Sequence, residues 1–183
     1  MSDQTQSKFQ IRLRPALEGK QQITRAGVTV TAMQAGHVIH VLAKPGEADL
    51  TDYLLERALE KSTFAVRTVS PGQWFLVGDT DYSHSDLAVL FSKLGPKAEA
   101  VDQSHGRVRI HLQGPDVERM LAKGTAADVT IDAFPIGHAT TTLFGHIGVH
   151  LSRTGTETFE ILVLRGFAES LWDDLNLMSR EFS

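Results

Sequence analysis

The stretch DQSHGRVRIHLQGPDVERMLAKG, Asp102–Gly124, holds the pattern from which the fold class is read. Between Arg107 and Gln113 the residues alternate: Val108, Ile110 and Leu112 face one way, and Arg107, Arg109, His111 and Gln113 the other. A period of two is the signature of a strand with one apolar face. Gly114-Pro115 then breaks the strand, and Pro115 suits the first position of a helix, where its missing N–H costs nothing. Asp116 complements the positive end of that short helix, Lys123 its negative end, and Gly124 stops it.

The same grammar recurs on both sides. QWFLVG (Gln73–Gly78) leads to a helix announced by Ser83 as cap and Asp86 three positions later, with Leu87, Leu90, Phe91 and Leu94 at helical spacing and Gly95-Pro96 as its end. FEILVLR (Phe159–Arg165) leads to a last helix over GFAESLWDDLNLM. GVTVTAM (Gly27–Met33) and HVIHVLA (His37–Ala43) predict two strands around an Ala-Gly turn, and STFAVRTVS (Ser62–Ser70) pairs with QWFLVG across Pro71-Gly72. Asp49 caps a helix whose apolar face is Leu50, Leu54, Leu55, Ala58 and Leu59. AEAVDQ and the run TTTLFGHIGVHLSR complete the strand pattern. The expected class is α+β: mixed or antiparallel sheet with helices on one side, built from strand–strand–helix units. Residues 1–24 are polar and weakly patterned, a flexible N-terminal arm. Residues 25–183 form one α+β domain, with 25–96 and 97–183 as pseudo-similar halves.

Composition narrows the function. With 183 residues, 42% apolar and 22% charged, the chain is an ordinary globular sequence, large enough to bury roughly 70% of its unfolded surface. A formal net charge of -4 provides no footprint for nucleic acid or an anionic membrane. Cysteine is absent, which excludes disulfides, iron–sulfur clusters, thiol nucleophiles and thiolate zinc sites. The N-terminus lacks the apolar region of a signal peptide, and no apolar run approaches the ~20 residues that span a bilayer. A cytoplasmic protein is expected.

The eight histidines raise a metal site. His146 and His150 have the i,i+4 spacing of a helical zinc pair, but Ile147 and Val149 place them in a strand. There they stand about 13 Å apart at roughly 3.3 Å per residue, whereas ligands of one zinc bring their nitrogens within about 3.5 Å. Two histidines on the polar face of an amphipathic strand are expected instead. His37 and His40 fall on opposite faces of their strand, one of them partly buried and hydrogen-bonded. Ser104 and His105 are sequence neighbours that point apart, so they make no catalytic pair. No catalytic, cofactor-binding or metal-binding residue is assigned.

Two features point outward. Arg107, Arg109 and His111 form a cationic row on one strand face that must meet acids, either across the sheet at Glu99 or a similar residue or on an acidic partner. In the last helix Phe167, Leu171 and Leu175 lie at core spacing, widened by Ala168 and Trp172, with Arg165 and Glu169 able to pair at i,i+4. Trp172 is either core or the anchor of an interface. Arg107, Arg109, His111 and Trp172 are the candidate subunit-interface residues.

SPGQWFLVG, VDQSHGRVRIHLQGPDVERMLAKG, LFGHIGVHLSR and FEILVLRGFAESLWDDL together resemble the gamma subunit family of heterotetrameric sarcosine oxidases, from Ser62 to Leu175. That family is similar in turn to the folate-binding aminomethyltransferase of glycine cleavage. The resemblance implies half of that fold, in a non-catalytic structural subunit of a flavin-dependent complex that demethylates sarcosine to glycine and passes the one-carbon unit to tetrahydrofolate or releases it as formaldehyde. It implies alpha, beta and delta subunits as partners, mainly alpha. It also implies that the complex's FAD, FMN and NAD sit in the two large subunits and its zinc in delta. The alternatives it leaves are a folate or one-carbon-binding module, or a subunit of a related N-methylglutamate dehydrogenase. The related transferases carry D-x-S-H-M-G, whereas here Gly106 follows His105 directly, so no folate residue is transferred.

Overall fold

The computed structural model describes residues 14–33, 36–47, 49–61 and 64–182. Among the described residues ten strands form two antiparallel sheets. The larger contains β1 (Ile23–Thr24), β2 (Thr29–Met33), β7 (Arg107–Gln113), β10 (Thr158–Leu164), β9 (Ile147–Gly155) and β8 (Ala139–Phe144), in that spatial order. The smaller contains β4 (Ala65–Ser70), β5 (Gln73–Gly78), β3 (His37–Ala43) and β6 (Ala98–Asp102). Helices α1 (Thr51–Lys61) and α2 (His84–Leu94) serve the smaller sheet, and α3 (Val117–Leu121) and α4 (Ala168–Ser179) the larger. Among the described residues no helix is long and apolar enough to cross a membrane.

Three apolar layers hold these elements. Val108, Ile110 and Leu112 of β7, with Phe159, Ile161 and Val163 of β10, pack on Met120, Leu121, Leu171, Trp172 and Leu175. Ile39, Val41, Trp74 and Leu76 pack on Leu50, Leu54 and Leu94. Between the sheets lie Val38, Phe75, Val77 and Leu162, with Val69 against them. The order is therefore helices, sheet, sheet, helices, so the helices do not lie on one side of a single sheet. β5 and β10 are buried on both faces, which is why each reads as a nearly continuous apolar run.

The α+β antiparallel class and the strand–helix order hold. The two sheets do not follow the 25–96 and 97–183 division. β2 pairs with β7, and β6 completes the smaller sheet beside β3, so each half lends a strand to the other half's sheet. β2 and β3 accordingly sit in different sheets; Ala35 of the turn expected between them lies outside the described residues. So do residues 1–13 of the expected arm, Ser62-Thr63, and the side chains of Ala58 and Leu59. The described part of the arm is anchored, with Leu17 and Ile23 in the core of the larger sheet.

Local signals act much as the residues suggest. Ser83 and Asp86 form a reciprocal capping box at α2, and the Thr51 N–H donates to Asp49 Oδ1 at 2.8 Å. At α3 the helix begins at Val117 with Asp116 as cap, two residues after Pro115. Lys123 reaches the end of α4 instead of its own helix, donating to the Met178 carbonyl at 2.9 Å and pairing with Glu181 at 2.7 Å. Gly114 carries the chain out of β7 at φ +133°, and a Cβ there would fall 2.3 Å from the Gly27 carbonyl oxygen.

Candidate functional site

The polar groups concentrate where the smaller sheet passes into the larger, at the DQSHGR turn between β6 and β7. The turn is closed by its own side chains. Ser104 Oγ donates to Asp102 Oδ1 at 2.5 Å, the Ser104 N–H donates to the same oxygen at 2.9 Å, and the Val38 N–H donates to Ser104 Oγ at 3.1 Å. The Gln103 N–H donates to the Val38 carbonyl, and the Gly106 and Arg107 N–H groups donate to the Gln103 carbonyl. The serine hydroxyl is thus engaged in pinning the turn to β3, while His105 is exposed.

Arg109 is where the two sheets are tied together. Glu160, inside β10, is the one acid in the run TFEILVL, and its side chain is only 5% exposed. Arg109 grips it in a fork, Nε to Oε1 at 2.9 Å and Nη2 to Oε2 at 3.0 Å. Arg67 of β4, from the opposing sheet, donates from Nη1 to Oε1 at 2.9 Å. Arg109 also crosses to the end of β5, donating to the Gly78 carbonyl and to Asp79 Oδ1, each at 2.7 Å. Gly36 makes room for this crossing: a Cβ there would sit 2.2 Å from the Gly78 carbonyl oxygen and 2.4 Å from Arg109 Nη1.

Electrostatics follow the geometry. Burial pushes the Glu160 carboxyl up, but the hydrogen bonds and charges of Arg109 and Arg67 outweigh it and hold it at about 2. Burial pulls Arg109 down, and Glu160 and Asp79 together hold it above its ordinary value. His150, on the same face of the larger sheet, is 2% exposed and bonds through Nε2 to the Thr68 carbonyl at 2.9 Å. Burial lowers it to about 4, so it stays neutral. His37 is also lowered by burial; it is stacked on Tyr82 and bonded through Nδ1 to the Thr80 carbonyl.

The four expected interface residues separate. Arg109 is 7% and Trp172 4% exposed, both turned inward in the chain by itself. Arg109 has its acids within the molecule. These are Glu160 and Asp79 rather than Glu99, which pairs with Lys44 at 3.3 Å. Trp172 belongs to the core between α4 and the larger sheet. Arg107 and His111 are half-buried and keep access to solvent. Phe167, expected in the core, is 52% exposed at the turn before α4, and Arg165 donates to the Arg14 carbonyl instead of pairing with Glu169. His150 is buried between sheets and not on a polar outer face, whereas His146 lies in the exposed turn before β9. Glu160, Arg67 and Asp79 were not singled out from the sequence. The signal that could have found the first two is a lone charge inside an otherwise strand-like apolar run.

Beside the turn opens a cleft of about 740 Å³. Arg107, Ser104, His105 and Asp102 come to it from the turn, Asp81 and Tyr82 from the loop after β5, and Arg14 and Arg165 from its other margin. Among the described residues no group of three His, Asp or Glu side chains is placed to hold a metal ion.

The sequence profile of the GCVT N-terminal domain matches residues 23–183. The chain belongs to this family. The sarcosine oxidase subunit gamma of Corynebacterium sp. (strain U-96) is 29% identical over 147 residues, covering 80% of this chain and 70% of that relative. An aminomethyltransferase of Herpetosiphon aurantiacus is 34% identical over 111 residues, 58% of this chain. The chain spans 30% of that enzyme's length. In solved structures, a chain of heterotetrameric sarcosine oxidase from Corynebacterium sp. U-96 superposes with a TM-score of 0.73 at 24% identity, covering 92% of this chain and 91% of that one. The glycine cleavage aminomethyltransferase T of Bartonella henselae superposes with a TM-score of 0.56 at 19% identity, and 46% of its chain is covered. These bear out the resemblance to sarcosine oxidase subunit gamma, and the GCVT domain accounts for the kinship with the aminomethyltransferases.

Proposed function

We propose that this GCVT-domain chain is a non-catalytic subunit of a heterotetrameric, flavin-dependent sarcosine oxidase, where it supports assembly with the larger subunits, mainly alpha. The observation that carries the reading is extent. The alignment with sarcosine oxidase subunit gamma takes in 70% of that protein, whereas only 30% of the aminomethyltransferase is matched. The chain thus matches most of a gamma subunit and about a third of the transferase. The polar turn supports the same view, because its serine, acid and glutamine are engaged within the turn and in pinning it to β3. In this reading FAD, FMN and NAD belong to the large subunits, zinc to delta, and the complex is cytoplasmic.

The test is co-expression of the four subunits with and without this chain. Loss of the assembled complex, or of its sarcosine turnover, is expected when the chain is omitted. A complex that assembles and turns over fully without it overturns the proposal. Membership of the GCVT family favours a second reading, a folate or one-carbon-binding module. Titration calorimetry of the chain with tetrahydrofolate checks it, and no heat at high micromolar ligand counts against it.

A further inference from the structure

The cleft beside the DQSHGR turn contains one cation whose position the fold's own hydrogen bonds leave unexplained. Arg107 is half-buried, and its guanidinium lies 4.6 Å from the centre of the Phe75 ring. Its Nε donates to Gln103 Oε1 at 2.6 Å. Among the described residues its two Nη groups donate to nothing, and no carboxylate comes within ion-pair distance of it. Arg109, two residues along on the same face, is saturated by Glu160 and Asp79. A guanidinium withdrawn partly from water, stacked on an aromatic face and left with its planar fork free, is an arrangement that suits bidentate recognition of a carboxylate.

The rest of the cleft defines what accompanies that carboxylate. Leu17, Ala32, Met33, Val38 and Leu87 supply apolar lining, and a volume of about 740 Å³ falls in the ordinary range for small-molecule sites. Arg14 and Arg165 are exposed at the margin, and Arg14 pairs with Glu18 at 2.7 Å. Asp81 and Asp102 also line the cleft. Asp81 Oδ1 accepts from the Gly36 N–H and Asp102 Oδ1 accepts from Ser104, so both carboxylates belong to the lining. Those two acids disfavour a dianionic phosphate or a polyacidic segment, while Arg107, half-buried and with no carboxylate partner among the described residues, matches one carboxylate.

We infer that the cleft binds a small organic monocarboxylate with an apolar body, its carboxylate held by the free fork of Arg107 and its body against Val38, Met33 and Leu87. The site does not depend on assembly into a complex, so its failure leaves the subunit reading intact, and the reverse also holds.

The experiment uses the full chain and ligand-observed saturation-transfer NMR, with benzoate, the isosteric neutral benzamide, and inorganic phosphate as probes. Benzoate is expected to bind at least about 10-fold more tightly than benzamide, as a charge-assisted pair requires. Arg107→Gln is expected to remove that preference, and Arg107→Lys, which keeps the charge without the fork, to retain part of it. Three outcomes each overturn the inference: equal signals from benzoate and benzamide, benzoate binding unchanged in an Arg107→Gln variant of wild-type melting temperature, or no benzoate binding at 10 mM. Phosphate binding more tightly than benzoate overturns the ligand class. If benzoate fails while Arg107→Glu strips this chain from the co-purified complex, the guanidinium serves a partner subunit and the inference is likewise wrong. Should Arg107→Gln not fold, the benzoate–benzamide comparison on the wild-type chain still decides.

Discussion

At the scale of single residues, the contrast between Arg107 and Arg109 shows how position two apart on one strand face sets a side chain's role. Arg109 is surrounded by carboxylates and carbonyls from both sheets, and Glu160 by two guanidinium groups. Removing one member of such a buried group strands the others. Glu160→Gln is expected to destabilise the fold by about 3–5 kcal/mol, read by urea denaturation; a loss under 1 kcal/mol would show the cluster to be dispensable. The same residues set an acid response. Glu160 titrates at about 2 in the fold against an ordinary 4.5, so its contribution is complete above 4.5 and lost as pH falls toward 2. His150 is kept neutral with a value of about 4 against 6.5, so the unfolded chain takes up its proton first and stability falls between pH 6.5 and 4. Wild-type stability is expected to decline through both windows. His150→Gln should shallow the upper window, to which the lowered His37 and His40 also contribute, and leave the lower one; an unchanged slope between pH 6.5 and 4 would remove His150 as a source.

At the scale of elements, the joint between β7 and α3 depends on a backbone conformation and α4 on a packed face. Gly114 at φ +133° with the Gly27 carbonyl against it cannot accept a side chain, so Gly114→Ala is expected to cost at least about 1–3 kcal/mol. A denaturation midpoint equal to wild type would contradict this. Trp172 is buried among the residues that bind α4 to the larger sheet, and Trp172→Ala is expected to lose about 3–5 kcal/mol in the isolated chain. An interface anchor would show no such loss without its partner, so thermal melting of the chain alone separates the two roles. The helix and strand elements were largely legible because each carries its own punctuation: the Ser83–Asp86 box, the Pro71-Gly72 turn, and the alternation from Arg107 to Gln113. Phe167 was not, since a 3-10 turn over Arg165–Phe167 rotates it away from the face shared by Leu171 and Leu175.

At the scale of the molecule, charge reversal distinguishes the two arginines. Arg109→Glu places a second acid against Glu160 and is expected to prevent folding of the chain. Arg107→Glu should leave the fold within about 1 kcal/mol of wild type, since Arg107 has no carboxylate partner among the described residues and keeps access to solvent. Circular dichroism melts of both variants check this, and equal behaviour would mean that the two side chains are not differently placed.

The sequence by itself determined the α+β class, a mixed or antiparallel sheet, the helix that follows each of three strands, and kinship with sarcosine oxidase subunit gamma. The first three are carried by patterns within a few consecutive residues, and the kinship by four such stretches between Ser62 and Leu175. Only the tertiary structure decided that there are two sheets face to face, that β2 and β6 exchange between the halves, and that the second face of β7 is an interior surface. Alternation says which residues share a face but not what covers that face. A charge on it looks like surface until a lone acid such as Glu160, on a strand about fifty residues away, is brought against it.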